Sequence, residues 1–150
     1  TSEPLYEDVL VVTREVCDHA KANGQCMHLE TGQESAEGLL QFISDVGCDN
    51  LFINFDPANM ILYGSGDPIE ALEKLQEHLV HVHVKDATAA AQRGQWGRDV
   101  PLGQGEVDMQ RYVRTLKQIG YRGPLIIERE AGDDRLDDIR NGARLLEKLV

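Results

Sequence analysis

The sequence has few cysteines, few basic residues and no long apolar run. Its three cysteines form no C-x-x-C pair, and such a small, odd number suits a reduced, cytoplasmic protein better than a disulfide scaffold. We expect all three to be buried in apolar surroundings; they are Cys17, Cys26 and Cys48. The 15 lysine and arginine residues stand against 26 acidic residues, and the net charge of −11 disfavours binding to nucleic acid or to an anionic membrane. No apolar stretch approaches the roughly 18 residues of a membrane span, and no basic start followed by an apolar stretch indicates a signal peptide.

Helix-type and strand-type patterns alternate along the 150 residues, of which 41% are hydrophobic. This size and composition predict one globular domain over residues 1–150. The alternation predicts an α/β fold in which parallel strands are joined by helices. Strands are predicted at 26–30, 51–56, 79–84 and 125–128, helices at 4–23, after Ser35, Asp67 and Asp108, and at 134–150, and a long polar loop at 86–107.

Each predicted strand has one apolar and one polar face. In the second strand, Leu51, Ile53 and Phe55 alternate with Asn54 and Asp56. A doubly wound sheet is covered by helices on both faces, so its strands are almost wholly apolar. The alternation instead favours a (β/α)8 TIM barrel, whose interior carries an active site at the carboxyl ends of its strands. Such a barrel needs eight strands and about 250 residues. We therefore expect half of a barrel, either a fragment of a longer protein or a chain that assembles with a second copy.

A residue that can bind a metal lies at the end, or one residue before the end, of each of the four predicted strands. These residues are Glu30, Asp56, His83 and Glu128. Because parallel strands that follow one another place their ends side by side, the three carboxylates would repel one another unless a cation lay between them. An oxygen-rich ligand set favours Mn²⁺ or Mg²⁺, with Co²⁺ or Zn²⁺ as alternatives.

The sequence around these four residues contains recognisable runs. They are His28-Leu29-Glu30-Thr31, Asn54-Phe55-Asp56-Pro57-Ala58-Asn59, His81-Val82-His83-Val84-Lys85-Asp86, Ile126-Ile127-Glu128 and the loop Pro101-Leu102-Gly103-Gln104-Gly105-Glu106-Val107-Asp108. Together they resemble the carboxyl-terminal half of the xylose isomerase-like TIM barrel family, strands five to eight. That family includes sugar and sugar-phosphate isomerases and epimerases, inosose dehydratases and DNA-repair enzymes of the endonuclease IV type. The resemblance covers about residues 25–130.

The resemblance implies roles for individual residues. It implies metal ligands at Glu30, Asp56, His83 and Glu128, with Glu30 and Glu128 also serving as the catalytic acid–base pair on opposite faces of the substrate. Many epimerases of the family have a histidine three residues after the strand-six aspartate. This sequence has Asn59 there, which can hydrogen-bond a substrate hydroxyl but cannot transfer a proton.

Three further residues are candidate substrate contacts. His81 shares the inward face of its strand with His83, and its alternative role is that of a satisfied core histidine. Arg93 and Arg98 lie in the loop after the third predicted strand, where family members place a substrate-binding arginine. Their alternative is a solvated loop.

The expected function is that of a metal-dependent isomerase or epimerase of a small sugar or sugar phosphate, which transfers a proton beside a carbonyl through a metal-stabilised enediolate. The alternatives are a lyase of the inosose dehydratase kind and a non-catalytic half-barrel that binds a metal or a sugar. The DNA-repair branch is disfavoured by the net charge of −11. The expected partners are the sugar substrate and either the missing amino-terminal half-barrel or a second copy of the chain, without which the chain can be inactive.

Overall fold

Helices and strands alternate along the chain in the computed structural model, which describes residues 5–92 and 94–150. The candidate substrate residue Arg93 therefore lies outside the described residues. The helices are α1 (Tyr6–Ala22), α2 (Ala36–Val46), α3 (Pro57–Tyr63), α4 (Pro68–Leu75), α5 (Met109–Gln118) and α6 (Arg135–Leu146). The strands are β1 (Met27–Glu30), β2 (Leu51–Phe55), β3 (Leu79–Val84), β4 (Asp86–Thr88), β5 (Arg98–Val100) and β6 (Leu125–Ile127). None of the helices in the described ranges is long and apolar enough to cross a bilayer.

Four strands form one parallel sheet in the order β1-β2-β3-β6. Each strand lies beside the strand of the next βα unit, as expected when helices connect parallel neighbours. The α/β fold class predicted from the sequence is confirmed. Within the described residues β1 and β6 each have a single neighbour in this sheet, so the sheet is open at both edges.

The apolar face of the sheet forms the core. Ile53, Val82 and Val84 are fully buried on this face, whereas His81 and His83 of β3 point the other way and remain partly exposed. This difference confirms the predicted alternation of an apolar and a polar face. The same alternation explains the exposure of one cysteine. The expectation that all three cysteines are buried is wrong in part. Cys17 is buried and Cys48 partly buried, but Cys26 is exposed because it has the parity of the polar face of β1.

Two features of the fold, a helix and a two-stranded ribbon, differ from the sequence prediction. The first is α3, which begins with Asp56-Pro57, the same cap and proline pair that marks the start of α4 at Asp67-Pro68. The second lies in the segment 86–107, where β4 and β5 pair as an antiparallel ribbon instead of a plain loop. These strands have three residues each, too few for a period of two to be recognised.

The Asp86 carboxylate organises the segment after the ribbon. This side chain is buried, and both of its oxygens accept two backbone N–H groups. Oδ1 accepts from Ala87 at 2.9 Å and Val107 at 3.1 Å, and Oδ2 accepts from Gly103 and Gly105, both at 2.9 Å. A side chain at position 105 would place its Cβ 2.1 Å from Asp86 Oδ1, so only glycine lets the loop close around the carboxylate. Burial raises the pKa of the Asp86 carboxyl, and the four N–H donors oppose that effect.

Replacement of Asp86 tests this role. Asp86→Asn turns one acceptor oxygen into an NH₂ group that faces two N–H donors, so we expect the free energy of unfolding to fall by about 2–4 kcal/mol. Urea denaturation of the chain measures the change. The control is Asp67→Asn, which keeps the Oδ1 that caps α4 and should cost less than about 0.5 kcal/mol. Equal stability of the two variants would contradict the role of Asp86.

Candidate metal centre

The four candidate ligands lie together at the carboxyl end of the sheet because each stands at or next to the end of a parallel strand. Glu30 is the last residue of β1, His83 is the penultimate residue of β3, and Asp56 and Glu128 directly follow β2 and β6. One ligand atom from each residue lies within 4.8 Å of the corresponding atoms of the other three. The fold thus brings together all four residues that the sequence proposed as ligands.

Asp56 is fixed in place on several sides and is fully buried. Its Oδ1 caps α3 by accepting the N–H groups of Ala58 at 2.8 Å and Asn59 at 3.2 Å. The Thr31 hydroxyl accepts the Asp56 N–H at 2.7 Å and donates to the Asp56 carbonyl oxygen at 2.9 Å. These contacts tie the end of β2 to the end of β1. They leave Asp56 Oδ2 to face the other ligands.

A β-bulge in β3 determines which residues of β2 and β3 lie side by side near the candidate ligands. Ile53 pairs with Leu79, but the next residue, Asn54, pairs with His81, so Val80 is an extra residue in β3. Without the extra residue, the polar positions of β2 would lie beside apolar positions of β3. The bulge therefore brings the polar faces of the two strands into register, and with them the two ligands at their ends.

The His83 imidazole lies at the centre of the cluster. Its Nδ1 atom is 2.6 Å from Glu128 Oε2, 3.5 Å from Glu30 Oε1 and 3.6 Å from Asp56 Oδ2. In the described parts of the chain, the facing atoms of Asp56, His83 and Glu128 are buried and make no hydrogen bond, although His83 Nδ1 and Glu128 Oε2 are close enough for an ion pair. A buried polar atom without a hydrogen bond costs about 1–3 kcal/mol. A divalent cation would accept lone pairs from all three and from Glu30, so the residues present fit a metal ion.

Asn54 completes the surroundings of His83, since its side-chain Nδ2 atom lies 3.3 Å from the Nε2 atom of the ring. The two orientations of an amide exchange its oxygen and nitrogen. Only the orientation that turns the oxygen toward Nε2 lets His83 donate there and keep the Nδ1 lone pair for a metal. That orientation also gives a partner to Asn54 Oδ1, which otherwise has none within the described residues.

Proximity changes the proton affinities of two ligands. The Asp56 carboxylate raises the pKa of His83 above its ordinary value, while burial opposes this effect. Burial raises the pKa of Glu30, and the positive charge of His83 works against it. Both groups therefore hold protons more readily than free side chains do. Because a metal binds only the unprotonated forms, protons and a metal ion compete for this site.

The other candidate residues fall at different distances from the cluster. Asn59 lies next to it and donates to Glu30 Oε1 at 3.0 Å and to the Thr31 carbonyl oxygen at 3.1 Å. His81 lies one layer deeper, with its ring centre 6.5 Å from that of His83. Arg98 lies exposed on β5 and, within the described residues, makes no hydrogen bond or ion pair to the four ligands.

Sequence reasoning missed three residues that shape the site. Thr31 and Asn54 occur in the runs that carry the resemblance, but they were given no role. Their signal is parity, because Asn54 lies two residues before Asp56 on the same face of β2. Lys85 also occurs in these runs, and its side chain is buried, with only 1% exposed, against the carboxylates of the cluster.

Comparisons with known proteins agree with this architecture. Residues 2–149 match the family model described as xylose isomerase-like TIM barrel. A xylose isomerase domain protein from Planctomyces limnophilus is 49% identical with a TM-score of 0.92, over 99% of this chain and 53% of its own. A xylose isomerase-like TIM barrel protein from Mycobacterium smegmatis, in complex with magnesium, has a TM-score of 0.77 at 24% identity, over 99% of this chain and 52% of its own.

Among curated proteins, an L-ribulose-5-phosphate 3-epimerase of Escherichia coli is 47% identical over 51 residues, which are 34% of this chain and 16% of that enzyme. The chain spans about half the length, or less, of these relatives. The family match nevertheless extends over almost every residue, and it agrees with the α/β fold of the chain. The chain belongs to the xylose isomerase-like TIM barrel family.

Proposed function

We propose that this chain carries the metal centre of an isomerase or epimerase that acts on a small sugar or sugar phosphate. The observation that carries the proposal is the convergence of Glu30, Asp56, His83 and Glu128, with ligand atoms within 4.8 Å of one another. The donor set of three carboxylates and one imidazole favours Mn²⁺ or Mg²⁺, with Co²⁺ or Zn²⁺ as alternatives. The similarity to a ribulose-phosphate epimerase supports the substrate class.

Glu30 and Glu128 are the proposed acid–base pair. When bound, a divalent ion supplies positive charge for the carbonyl and hydroxyl oxygens of a sugar. Removal of a proton from the carbon beside the carbonyl gives an enediolate, and return of the proton to the same or the opposite face decides between substrate and epimer. Glu30 suits this exchange for two reasons. Its side chain is 45% exposed, so a substrate can reach it, and the burial of the rest of the side chain raises its pKa. Asn59 donates to Glu30 Oε1 and holds the carboxylate in place.

The proposed substrate contacts extend outward from the metal centre. Asn59 and His81 lie on the polar side near the ligands, and the amide of Asn59 can hydrogen-bond a hydroxyl group. Arg98, on the ribbon, and Arg93 are the proposed contacts for a hydroxyl or a phosphate of the substrate, because arginine binds phosphate with two parallel hydrogen bonds. The net charge of −11 makes such local positive groups necessary for an anionic sugar.

The rest of the substrate pocket is proposed to come from outside the open sheet. The edge strand β1 is unpaired on one side within the described residues, and α1 next to it exposes Val9, Val12 and Val16. A further half-barrel, from another segment of a longer protein or from a second copy, would pair this edge and cover these side chains.

Metal binding is the first test of the proposal. Calorimetric titration of the chain with Mn²⁺ should show saturable binding of about one ion per chain. His83→Ala removes the nitrogen ligand, so we expect the affinity to fall at least about 100-fold. The control is His19→Ala, which changes an exposed residue of α1 and should leave the titration unchanged. Because the pKa of His83 is raised, binding should strengthen as the pH rises through the range in which His83 loses its proton. Absence of binding to the unaltered chain would contradict the metal centre.

Proton exchange tests the chemistry separately. With Mn²⁺ in D₂O, the chain should place deuterium on the carbon beside the carbonyl of L-ribulose 5-phosphate or D-allulose, as measured by mass spectrometry. Glu128→Gln removes one member of the acid–base pair and should slow exchange by about 10²–10⁴-fold. The control is Glu147→Gln, an exposed residue after α6.

The products separate the remaining functions. Loss of water from the sugar would indicate the dehydratase chemistry instead. A metal-loaded chain that exchanges no proton would contradict turnover by this chain and leave a metal-binding half-barrel.

A further inference from the structure

Lys85 is the buried positive charge beside the metal centre. Only 1% of its side chain is exposed, and its Nζ atom lies 2.6 Å from Glu130 Oε2, 3.3 Å from Glu128 Oε1 and 3.5 Å from Asp56 Oδ2. Burial lowers the pKa of Lys85, but the three carboxylates raise it more, and the net shift is upward. Two of the three carboxylates belong to the proposed metal ligands.

The two oxygens of Glu128 therefore have different neighbours. Oε2 faces the cluster, 2.6 Å from His83 Nδ1, and Oε1 faces Lys85. The register of the sheet produces this division. His83 pairs with Ile126, so two residues further along, Lys85 and Glu128 stand side by side on the polar face.

Lys85 is itself held from outside the cluster. Its closest partner, Glu130, belongs to a segment that the ribbon fixes through Asp99 of β5. One Asp99 oxygen accepts the N–H groups of Glu130 at 2.8 Å and Ala131 at 3.1 Å, and the other pairs with Arg129 at 2.6 Å. The Asp99 and Arg129 side chains are less than a tenth exposed. The backbone of Glu130, the closest partner of Lys85, is thus fixed by β5 next to a buried ion pair.

We propose that Lys85 is a positioning residue. Its ion pair with one oxygen of Glu128 leaves Glu128 a single oxygen for metal binding, and this disfavours the binding of Ca²⁺. This inference depends on the proposed metal centre. Ca²⁺ takes six to eight oxygen ligands and commonly uses both oxygens of a carboxylate, whereas Mn²⁺ and Mg²⁺ accept six. A carboxylate held to one oxygen gives the larger ion too few protein ligands. It also leaves positions on a smaller ion for substrate oxygens.

Lys85→Met tests the proposal because methionine has a similar length and no charge. Competition titrations with Mn²⁺ and Ca²⁺ should show that the ratio of the Ca²⁺ to the Mn²⁺ dissociation constant falls about tenfold, since Glu128 becomes free to bind with both oxygens. The visible spectrum of the Co²⁺-loaded chain should change in the same variant, with weaker absorption as the coordination number rises. Lys85→Arg keeps the charge and should restore both the ratio and the spectrum toward those of the unaltered chain.

The matched control is Lys74→Met, which removes a surface lysine paired with Glu37 and should leave the ratio and the spectrum unchanged. If Lys85→Met does not fold, Glu130→Gln gives a second test, because Glu130 is 66% exposed. In this variant Lys85 still contacts Glu128, but the negative charge of Glu130 is gone. The surroundings of the site then carry one negative charge fewer, so Mn²⁺ and Ca²⁺ should both bind roughly threefold more weakly, and the ratio of their dissociation constants should stay unchanged.

The outcomes separate this inference from the metal centre itself. An unaltered chain that binds no metal ion would overturn the metal centre and, with it, the role of Lys85. An unaltered chain that binds Mn²⁺, together with a folded Lys85→Met variant whose ratio and Co²⁺ spectrum are unchanged, would overturn the role of Lys85 alone. With no folded Lys85→Met variant, a changed ratio in Glu130→Gln would also overturn it.

Discussion

Repulsion among three carboxylates at the end of one sheet is the constraint on which the rest of the site depends. Two like charges about 4 Å apart cost about 4 kcal/mol near a protein surface, and the ligand atoms of Glu30, Asp56 and Glu128 all lie within 4.8 Å of one another. Positively charged side chains and fixed hydrogen bonds offset this repulsion. Lys85 lies against Asp56 and Glu128, and His83 lies between all three. The same charges that would drive the strand ends apart make the site suitable for a divalent cation.

The fold and the convergence of the four candidate ligands could be predicted from the sequence because both depend on simple periodicities. A period of two separates the polar and apolar faces of each strand, and parallel connection places the strand ends at one edge. The convergence of the four candidate ligands follows from these two rules. No knowledge of packing is needed for this prediction, since Glu30, Asp56, His83 and Glu128 each lie at or next to the end of an apolar run.

The remaining features depend on long-range geometry that no local pattern encodes. The bulge at Val80 follows from the pairing of β2 with β3, which a single strand does not reveal. Lys85 has the same parity as His83, but its closest contact is with Glu130, in a segment that the ribbon fixes. The ribbon itself was missed because β4 and β5 are short and pair across an intervening loop. By contrast, the missed helix α3 had a local signal in Asp56-Pro57, whose carboxylate caps the helix and faces the cluster at the same time.

The distribution of the ligands over four βα units has a consequence for the unfolded chain. Glu30 lies on the first strand of the sheet and Glu128 just after the last, so an ion held by both would act as a cross-link that closes a loop through most of the sequence. Such a cross-link lowers the conformational entropy available to any partly unfolded form, and the effect grows with the logarithm of the loop length. No single βα unit could then detach without giving up the ion. The chemistry of the site and the cooperativity of the fold would thus depend on the same four side chains.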